Sequence, residues 1–102
     1  MSEHLTEAQF AAQLNTKFHV RVDAPRPIEL ELVEVKGWRG NTDAQREMER
    51  FSVFFKGPAD ILMPQNVYPL EHEQLGTFDI FLVPVARDES GFAYEAVFNY
   101  FK

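Results

Sequence analysis

The chain has 102 residues, 45% of them hydrophobic, no cysteine and a net charge of −6. Its length predicts a single domain over residues 1–102, and the absence of cysteine excludes a disulfide framework and a thiolate metal site. Both halves of the chain are acidic and the basic residues are scattered, so we expect no nucleic-acid partner, because binding to phosphates requires clustered Lys and Arg.

The first predicted element is a short helix at residues 6–15. Thr6 is a suitable N-cap, and Gln9 three residues later completes a capping-box pattern. Asn15 is predicted to end the helix, because asparagine tolerates the left-handed conformation. A helix of about nine residues is not stable by itself in water. We therefore expect it to lie over one face or one end of a sheet.

Two strands follow, at residues 16–22 and 28–36, separated by a proline-rich turn. Apolar and charged residues alternate in both segments, which is typical of half-buried strands. If the two strands pair, their charged residues face one another: Lys17, His19 and Arg21 opposite Glu29 and Glu31. In the second strand the alternation slips by one residue after Leu32, which predicts a β-bulge.

Four more strands are predicted, at residues 50–56, 67–72, 77–86 and 92–101, with residues 42–50 interpreted as a loop in preference to one short helical turn. Pro69 has no N–H to donate, so the strand that contains it is predicted to lie at a sheet edge. The last two strands are apolar on both faces: the fifth is expected to be buried on both sides, whereas the second face of the last strand could dock the helix or meet another chain. Six strands and one helix predict a mainly β fold, either a small antiparallel β-barrel or a two-layer sandwich.

No pattern of residues predicts catalytic, cofactor-binding or metal-binding chemistry. The three histidines lie in separate elements, and no serine elbow or glycine-rich phosphate loop is present. A weak hypothesis of a ligand pocket involves Tyr68, Glu71 and His72, because His72 lies between two glutamates. Side chains alternate on a strand, which points Glu71 away from the imidazole. A structural role for His72 is the favoured interpretation.

The aromatic residues are the more informative feature, since eight of the ten phenylalanines lie within residues 51–102. Most of them are expected in the core. The last strand has a second apolar face, however, and Trp38 follows a glycine in a turn. Exposed apolar and aromatic side chains of this kind mark protein interfaces. The predicted interface residues are Trp38, Val97, Tyr100 and Phe101.

The second half of the chain resembles a known but uncharacterised family. The resemblance rests on five segments: FSVFFKGP at 51–58, YPLEH at 68–72, LG at 75–76, FLVPV at 81–85 and YEAVFN at 94–99. They are similar to small bacterial β domains of unknown function that tend to be encoded near phage-tail-like and tail-collar proteins. The resemblance covers residues 50–99 and implies no catalytic residues.

We therefore expect a non-enzymatic protein-interaction or assembly module, accessory to a phage-tail-like particle, that binds a protein partner or forms a homo-oligomer. The alternative is a small-molecule-binding β-barrel or a minor enzyme with a pocket near His72. No apolar run is long enough to span a membrane, and residues 1–15 lack the apolar run of a signal peptide. A cytoplasmic location is expected, with no membrane partner and no cofactor.

Overall fold

The computed structural model describes residues 5–22, 27–37 and 48–101, with the side chains of residues 48–49 and 99–101 left out of the description. Over these residues the chain forms one helix and six strands. Their bounds are α1 Glu7–Ala11, β1 Lys17–Val20, β2 Ile28–Gly37, β3 Met48–Gly57, β4 Asn66–His72, β5 Gly76–Asp88 and β6 Gly91–Phe101. The prediction of a mainly β fold with one short N-terminal helix is confirmed.

The six strands form one closed antiparallel ring in the order β1-β2-β3-β6-β5-β4. Of the two architectures predicted, the fold is therefore the barrel. The first three strands follow one another around the ring, and β4 returns to lie beside β1, which is the Greek-key arrangement. Strands β3 and β4 lie on opposite sides of the ring, so residues 58–65, which connect them, must cross one end of the barrel.

The predicted register of the first two strands is confirmed for Lys17 and His19, whereas Arg21 lies beyond the end of β1 and pairs with Glu71 of β4. Lys17 lies opposite Glu31 and His19 opposite Glu29, and the imidazole Nε2 of His19 is 3.3 Å from the Glu29 carboxylate. The predicted bulge is confirmed as well, because the pairing of β2 with β3 shifts between Leu32 and Glu34. The slip in the hydrophobic pattern was a reliable signal because one extra residue moves every later side chain to the other face.

One end of the barrel, the connection end, is closed by residues 58–65. Met63 in this connection is 4% exposed. Its backbone N–H donates a hydrogen bond to the Tyr94 hydroxyl over 2.9 Å, and the Tyr68 hydroxyl donates to the Pro64 carbonyl. Two tyrosines that point inward from β6 and β4 therefore hold the connection against the barrel.

The opposite end, the helix end, is closed by α1. Phe10 is fully buried and its ring packs against four other phenylalanine rings, with centroid distances of 5.3 to 6.4 Å: Phe18, Phe51, Phe78 and Phe98. The capping box predicted between Thr6 and Gln9 is present. These five rings form the aromatic cluster of the helix end.

The helix is shorter than the prediction of residues 6–15. It ends at Ala11, and the next four residues form turns in which Gln13 and Leu14 donate to carbonyls three residues back. Asn15 adopts a positive φ of 69°, as predicted for the residue that ends the segment. Because the helix stops early, Leu14 does not share the buried face of Phe10 and is 38% exposed.

The prediction that the strand with Pro69 lies at a sheet edge is wrong, because β4 pairs with both β1 and β5. Pro69 is tolerated because it lies where β1 has ended. Strand β1 stops at Val20, two residues before its predicted end, and the N–H of Arg21 donates to the Pro69 carbonyl over 2.9 Å. Strand pairing on the β1 side therefore requires no backbone N–H from residue 69.

The predicted loop at residues 42–50 is wrong for its last three residues, which belong to β3. Their backbone pairs with residues 99–101 at the far end of β6, so the length of the partner strand extends β3. The rest of the predicted loop lies outside the described residues. No helix in the described part of the chain is long and apolar enough to span a membrane.

Candidate interaction surface

Three large apolar side chains lie on the outer face of neighbouring strands. Val67 on β4 is 52% exposed, Phe81 on β5 is 49% exposed and Val97 on β6 is 57% exposed. Val67 and Phe81 are direct cross-strand partners. Strands β5 and β6 pair at Val83 and Glu95. Phe81 lies two residues before Val83, and Val97 lies two residues after Glu95, on the same outer face. These three residues are called the outer row.

The outer row corrects the prediction that β5 is buried on both faces. Ile80 and Leu82 point into the barrel and are at most 3% exposed, whereas Phe81 and Val85 point outward and are about half exposed. One face of each strand lines the barrel interior. Helix α1 packs against the helix end and therefore does not cover the outer face of β5. Within the described residues, the second apolar face of β5 therefore stays at the surface.

Carboxylates lie beside the outer row. Asp79 is exposed two residues from Phe81, on the same face of β5. Glu95 precedes Val97 on the outer face of β6 and accepts a hydrogen bond of 2.9 Å from the Ser52 hydroxyl. Glu71, farther along the face of β4, is 2.8 Å from the Arg21 guanidinium. An apolar centre with charged neighbours is the usual layout of a protein-binding patch.

The sequence-predicted interface residues are only in part placed by the structure. Val97 belongs to the outer row. Tyr100 and Phe101 lie in β6 opposite Glu49 and Met48 of β3, but their side chains are not described. Trp38 lies outside the described residues.

The predicted pocket residues do not converge. Tyr68 and His72 point into the barrel and are 8% and 5% exposed, whereas Glu71 lies between them on the outer face. Burial raises the pKa of Tyr68, and the nearby Tyr94 raises it further. The Tyr68 hydroxyl is used at the connection end, and the His72 imidazole is at the opposite, helix end. A single pocket formed by the three side chains is not present in this geometry.

Both ring nitrogens of His72 have partners. Nδ1 accepts hydrogen bonds from the backbone N–H groups of Gln74 (3.0 Å) and Leu75 (3.2 Å), which hold the turn between β4 and β5. Nε2 is 2.8 Å from the Thr16 hydroxyl, which itself donates to the Gln13 carbonyl over 2.7 Å. Since Nδ1 accepts twice, the imidazole is neutral and its proton is on Nε2.

The surroundings of His72 favour this neutral form. Its ring lies over the Phe18 ring with a centroid distance of 4.2 Å. Burial lowers the pKa of His72 below its ordinary value, and the negative charge of Glu73 in the same turn opposes that shift. The imidazole thus links the turn that follows β4 to the segment that follows α1.

The barrel interior is filled by apolar side chains from every strand. Among the buried residues are Phe18, Leu30, Leu32, Phe51, Phe55, Leu70, Leu82 and Tyr94. Every buried side-chain nitrogen or oxygen in the described residues has a hydrogen-bond partner. No three His, Asp or Glu side chains in the same residues are close enough to share a metal ion.

Sequence reasoning missed Val67 and Phe81 as surface residues, and Thr16 as a partner of His72. The alternation in β4 and β5 indicated which residues share a face, but not which face is inside. Thr16 and His72 are 56 residues apart, and only the ring closure of β1 with β4 brings them together. No local signal identifies that contact.

A profile of the family described as "Domain of unknown function (DUF6916)" matches residues 5–98. The match extends the resemblance seen over residues 50–99 to the N-terminal helix and the first two strands. No curated protein and no solved structure matches the chain. The family description names no activity, ligand or partner.

Proposed function

We propose that this chain, which belongs to the DUF6916 family of domains of unknown function, is a non-enzymatic protein-interaction module whose docking surface is the outer row. The observation that carries the proposal is the cross-strand pair of Val67 and Phe81, with Val97 on the same outer face of the next strand, each about half exposed. Single exposed apolar residues are ordinary on protein surfaces, whereas several on one face of neighbouring strands form a patch that a partner can cover.

The use of the buried polar groups supports this proposal over a pocket near His72. The imidazole holds the turn after β4 through Nδ1 and contacts Thr16 through Nε2. The Tyr68 hydroxyl holds residues 58–65. A ligand at either group would have to replace a hydrogen bond that maintains the fold, and leaving such a bond unmade is costly in the interior.

The negative charge of the chain favours a partner with a basic surface. At a net charge of −6, a second copy of the chain is repelled over long range. Asp79 and Glu95 beside the outer row favour a partner surface that surrounds its apolar centre with Lys or Arg. We therefore propose a different protein with a basic surface, in preference to a homo-oligomer.

The family resemblance suggests where that partner is found. The resemblance to domains encoded near phage-tail-like proteins supports a role as an accessory or assembly factor for a tail-like particle. In that role the partner is a component of the particle. This assignment depends on the sequence resemblance alone, whereas the docking surface depends on the geometry.

The test is size-exclusion chromatography with light scattering of the purified chain, alone and mixed with the purified products of the neighbouring genes. We expect a monomer alone and a defined complex with one basic partner. Phe81→Ser and Val97→Ser should each weaken the complex at least about fivefold, because an apolar anchor of an interface contributes about 1–3 kcal/mol. The complex should also weaken with added salt.

Val33→Ser is the matched control. Val33 is 44% exposed on the outer face of β2, which lies across the ring from β5, so this variant should bind as the wild type does. Circular dichroism would establish that all three variants are folded. If the outer-row variants bind like the wild type, or if the chain alone is a stable dimer that they do not disrupt, the proposed docking surface is wrong.

A further inference from the structure

The second notable feature of the molecule is the buried imidazole at the helix end, which the interaction surface does not use. His72 is 5% exposed and connects two segments that are far apart in the sequence. Through Nδ1 it holds the N–H groups of Gln74 and Leu75, and through Nε2 it contacts the Thr16 hydroxyl. The pairing of β1 with β4 brings the two segments together, and the imidazole adds a side-chain connection between them.

The hydrogen-bond pattern requires an imidazole without a proton on Nδ1. A proton added there would point at two backbone N–H donors, so both hydrogen bonds would be lost and replaced by repulsion. The protonated ring could regain hydrogen-bond acceptors only by leaving its place over Phe18. Protonation and the observed position of the ring therefore exclude each other.

The charged groups around the ring do little to offset this conflict. Glu73 in the same turn is the carboxylate that acts on His72, and its effect is smaller than that of burial. Lys17 and His19 on β1, and Glu71 on β4, point to the outer face of the barrel. Residues 12–16, which contact Nε2 through Thr16, contain no charged residue.

The segment fixed by Thr16 is the one that closes the helix end. Thr16 donates to Gln13, and the N–H of Asn15 donates to the Leu32 carbonyl over 2.7 Å. A few residues before them, Phe10 fills the centre of the aromatic cluster. Helix α1 has five residues and depends on these contacts, because a helix of this length is not stable alone.

We propose that His72 is an acid-sensitive latch: protonation of its imidazole frees the β4–β5 turn from the end of the helix segment and raises the population of a state in which residues 5–16 have left the barrel end while the strands stay paired. This state exposes the aromatic cluster. The inference is independent of the proposed interaction surface, which lies on the outer face of β4, β5 and β6.

Native-state hydrogen exchange of the full chain at pH 7.5 and pH 5.0 tests the latch. The reporters are the amides of Phe10, Ala12 and Asn15, which are hydrogen-bonded in the closed state. At pH 7.5 they should be less protected than the amides shared by β3 and β6. At pH 5.0 their protection factors should fall by up to about thirtyfold. A freed histidine has a pKa near 6.5, and for each pH unit below that value protonation raises the population of the open state up to about tenfold.

Two variants separate the latch from general acid sensitivity. In His72→Asn the side-chain oxygen can still accept from the turn but does not titrate, so the change between the two pH values should drop below about threefold. His19→Gln removes an exposed histidine and should keep the wild-type response. The latch is overturned if His72→Asn responds to acid as the wild type does, or if the strand amides lose protection while the three reporters do not.

A measurement on the wild-type ring keeps the test decisive should His72→Asn fail to fold. Two-bond ¹H–¹⁵N correlation spectra distinguish the two neutral tautomers and follow the titration of each histidine. We expect the Nε2–H tautomer for His72 at pH 7.5, and titration of His72 at a pH below the ordinary value for histidine, about 6.5. A proton on Nδ1, or a titration of His72 at or above that ordinary value, would overturn the proposal.

Discussion

At the scale of single residues, Gly91 is a position at which the fold excludes a side chain. Its φ is +147°, a value that side-chain-bearing residues rarely adopt. A Cβ atom built on Gly91 would be 1.9 Å from the carbonyl oxygen of Gly57. The start of β6 therefore lies too close to the end of β3, at the connection end of the barrel, for residue 91 to carry a side chain.

Gly91→Ala is predicted to destabilise the protein by at least about 3 kcal/mol, because backbone strain of about 1–3 kcal/mol adds to a contact with backbone atoms that cannot move aside. Gly76→Ala is the matched control. Gly76 also has a positive φ, +82°, but open space surrounds the position of its Cβ, so its cost should be about 1–2 kcal/mol. Urea denaturation measures both; a loss for Gly76→Ala that equals or exceeds that for Gly91→Ala would contradict the steric argument.

At the scale of elements, α1 acts as a plug that completes the core. Strand β5 pairs with β4 over residues 76–82 and, within the described strands, with β6 from Val83 onward. Before Val83 the inward side chains of β5 and β6 are bridged by a third residue: the Phe10 ring contacts both Phe78 and Phe98. The helix supplies the side chain that fills the interior where these two strands do not pair.

Phe10→Ala is predicted to destabilise the barrel by about 3–5 kcal/mol, the usual cost when a fully buried phenylalanine is truncated. Leu14→Ala in the same segment is the control and should cost about 1 kcal/mol or less, because Leu14 is 38% exposed. Thermal or chemical unfolding gives both values. Similar losses for the two variants would mean that Phe10 does not complete the core.

An element was predictable when it depends on residues that are neighbours in the sequence, and not when it depends on distant residues. The capping box, the bulge after Leu32 and the positive φ of Asn15 depend on neighbouring residues, and the sequence predicted all three. The first residues of β3 and the interior placement of β4 depend on partner strands, and both were predicted wrongly. Pro69 shows the reason: its missing donor was visible in the sequence, but the end of β1 beside it was not.

The candidate site was predictable to a smaller extent. Val97 was identified because the last strand has apolar residues on both faces, and one of them had to stay outside. Phe81 has the same chemistry but was expected to be buried, and no prediction was made for Val67, since alternation does not tell which face of a strand is the interior. The contact of His72 with Thr16 depends on ring closure and has no local signature.

At the scale of the whole molecule, the barrel is closed at both ends by segments that are not strands. The helix end depends on phenylalanine packing and on one neutral histidine, whereas the connection end depends on two tyrosine hydroxyls. Because histidine and tyrosine titrate far apart, the two ends should fail at opposite extremes of pH. At acid pH, protonation of His72 should release the helix end. At alkaline pH, ionisation of Tyr68 and Tyr94 should release the connection end.

The alkaline limit gives the last prediction. Burial raises the pKa of the Tyr94 hydroxyl, against the opposing effect of its hydrogen bond from Met63, and burial also raises the pKa of Tyr68. A group whose pKa is raised on folding contributes its full stability below the pKa of the unfolded chain, about 10, and loses it as the pH rises above that value. The free energy of unfolding should therefore decline above pH 10.

Tyr94→Phe separates this effect from the loss of charge on lysines, which all variants share. At pH 7 the variant should be less stable by about 1–3 kcal/mol, because the buried N–H of Met63 loses its acceptor. Between pH 10 and pH 11.5, however, its stability should decline less steeply than that of the wild type, since one of the two tyrosines no longer ionises on unfolding. Urea denaturation at pH 7, 10 and 11.5 measures both differences, and parallel decline of the two proteins above pH 10 would show that Tyr94 does not limit the alkaline stability of the barrel.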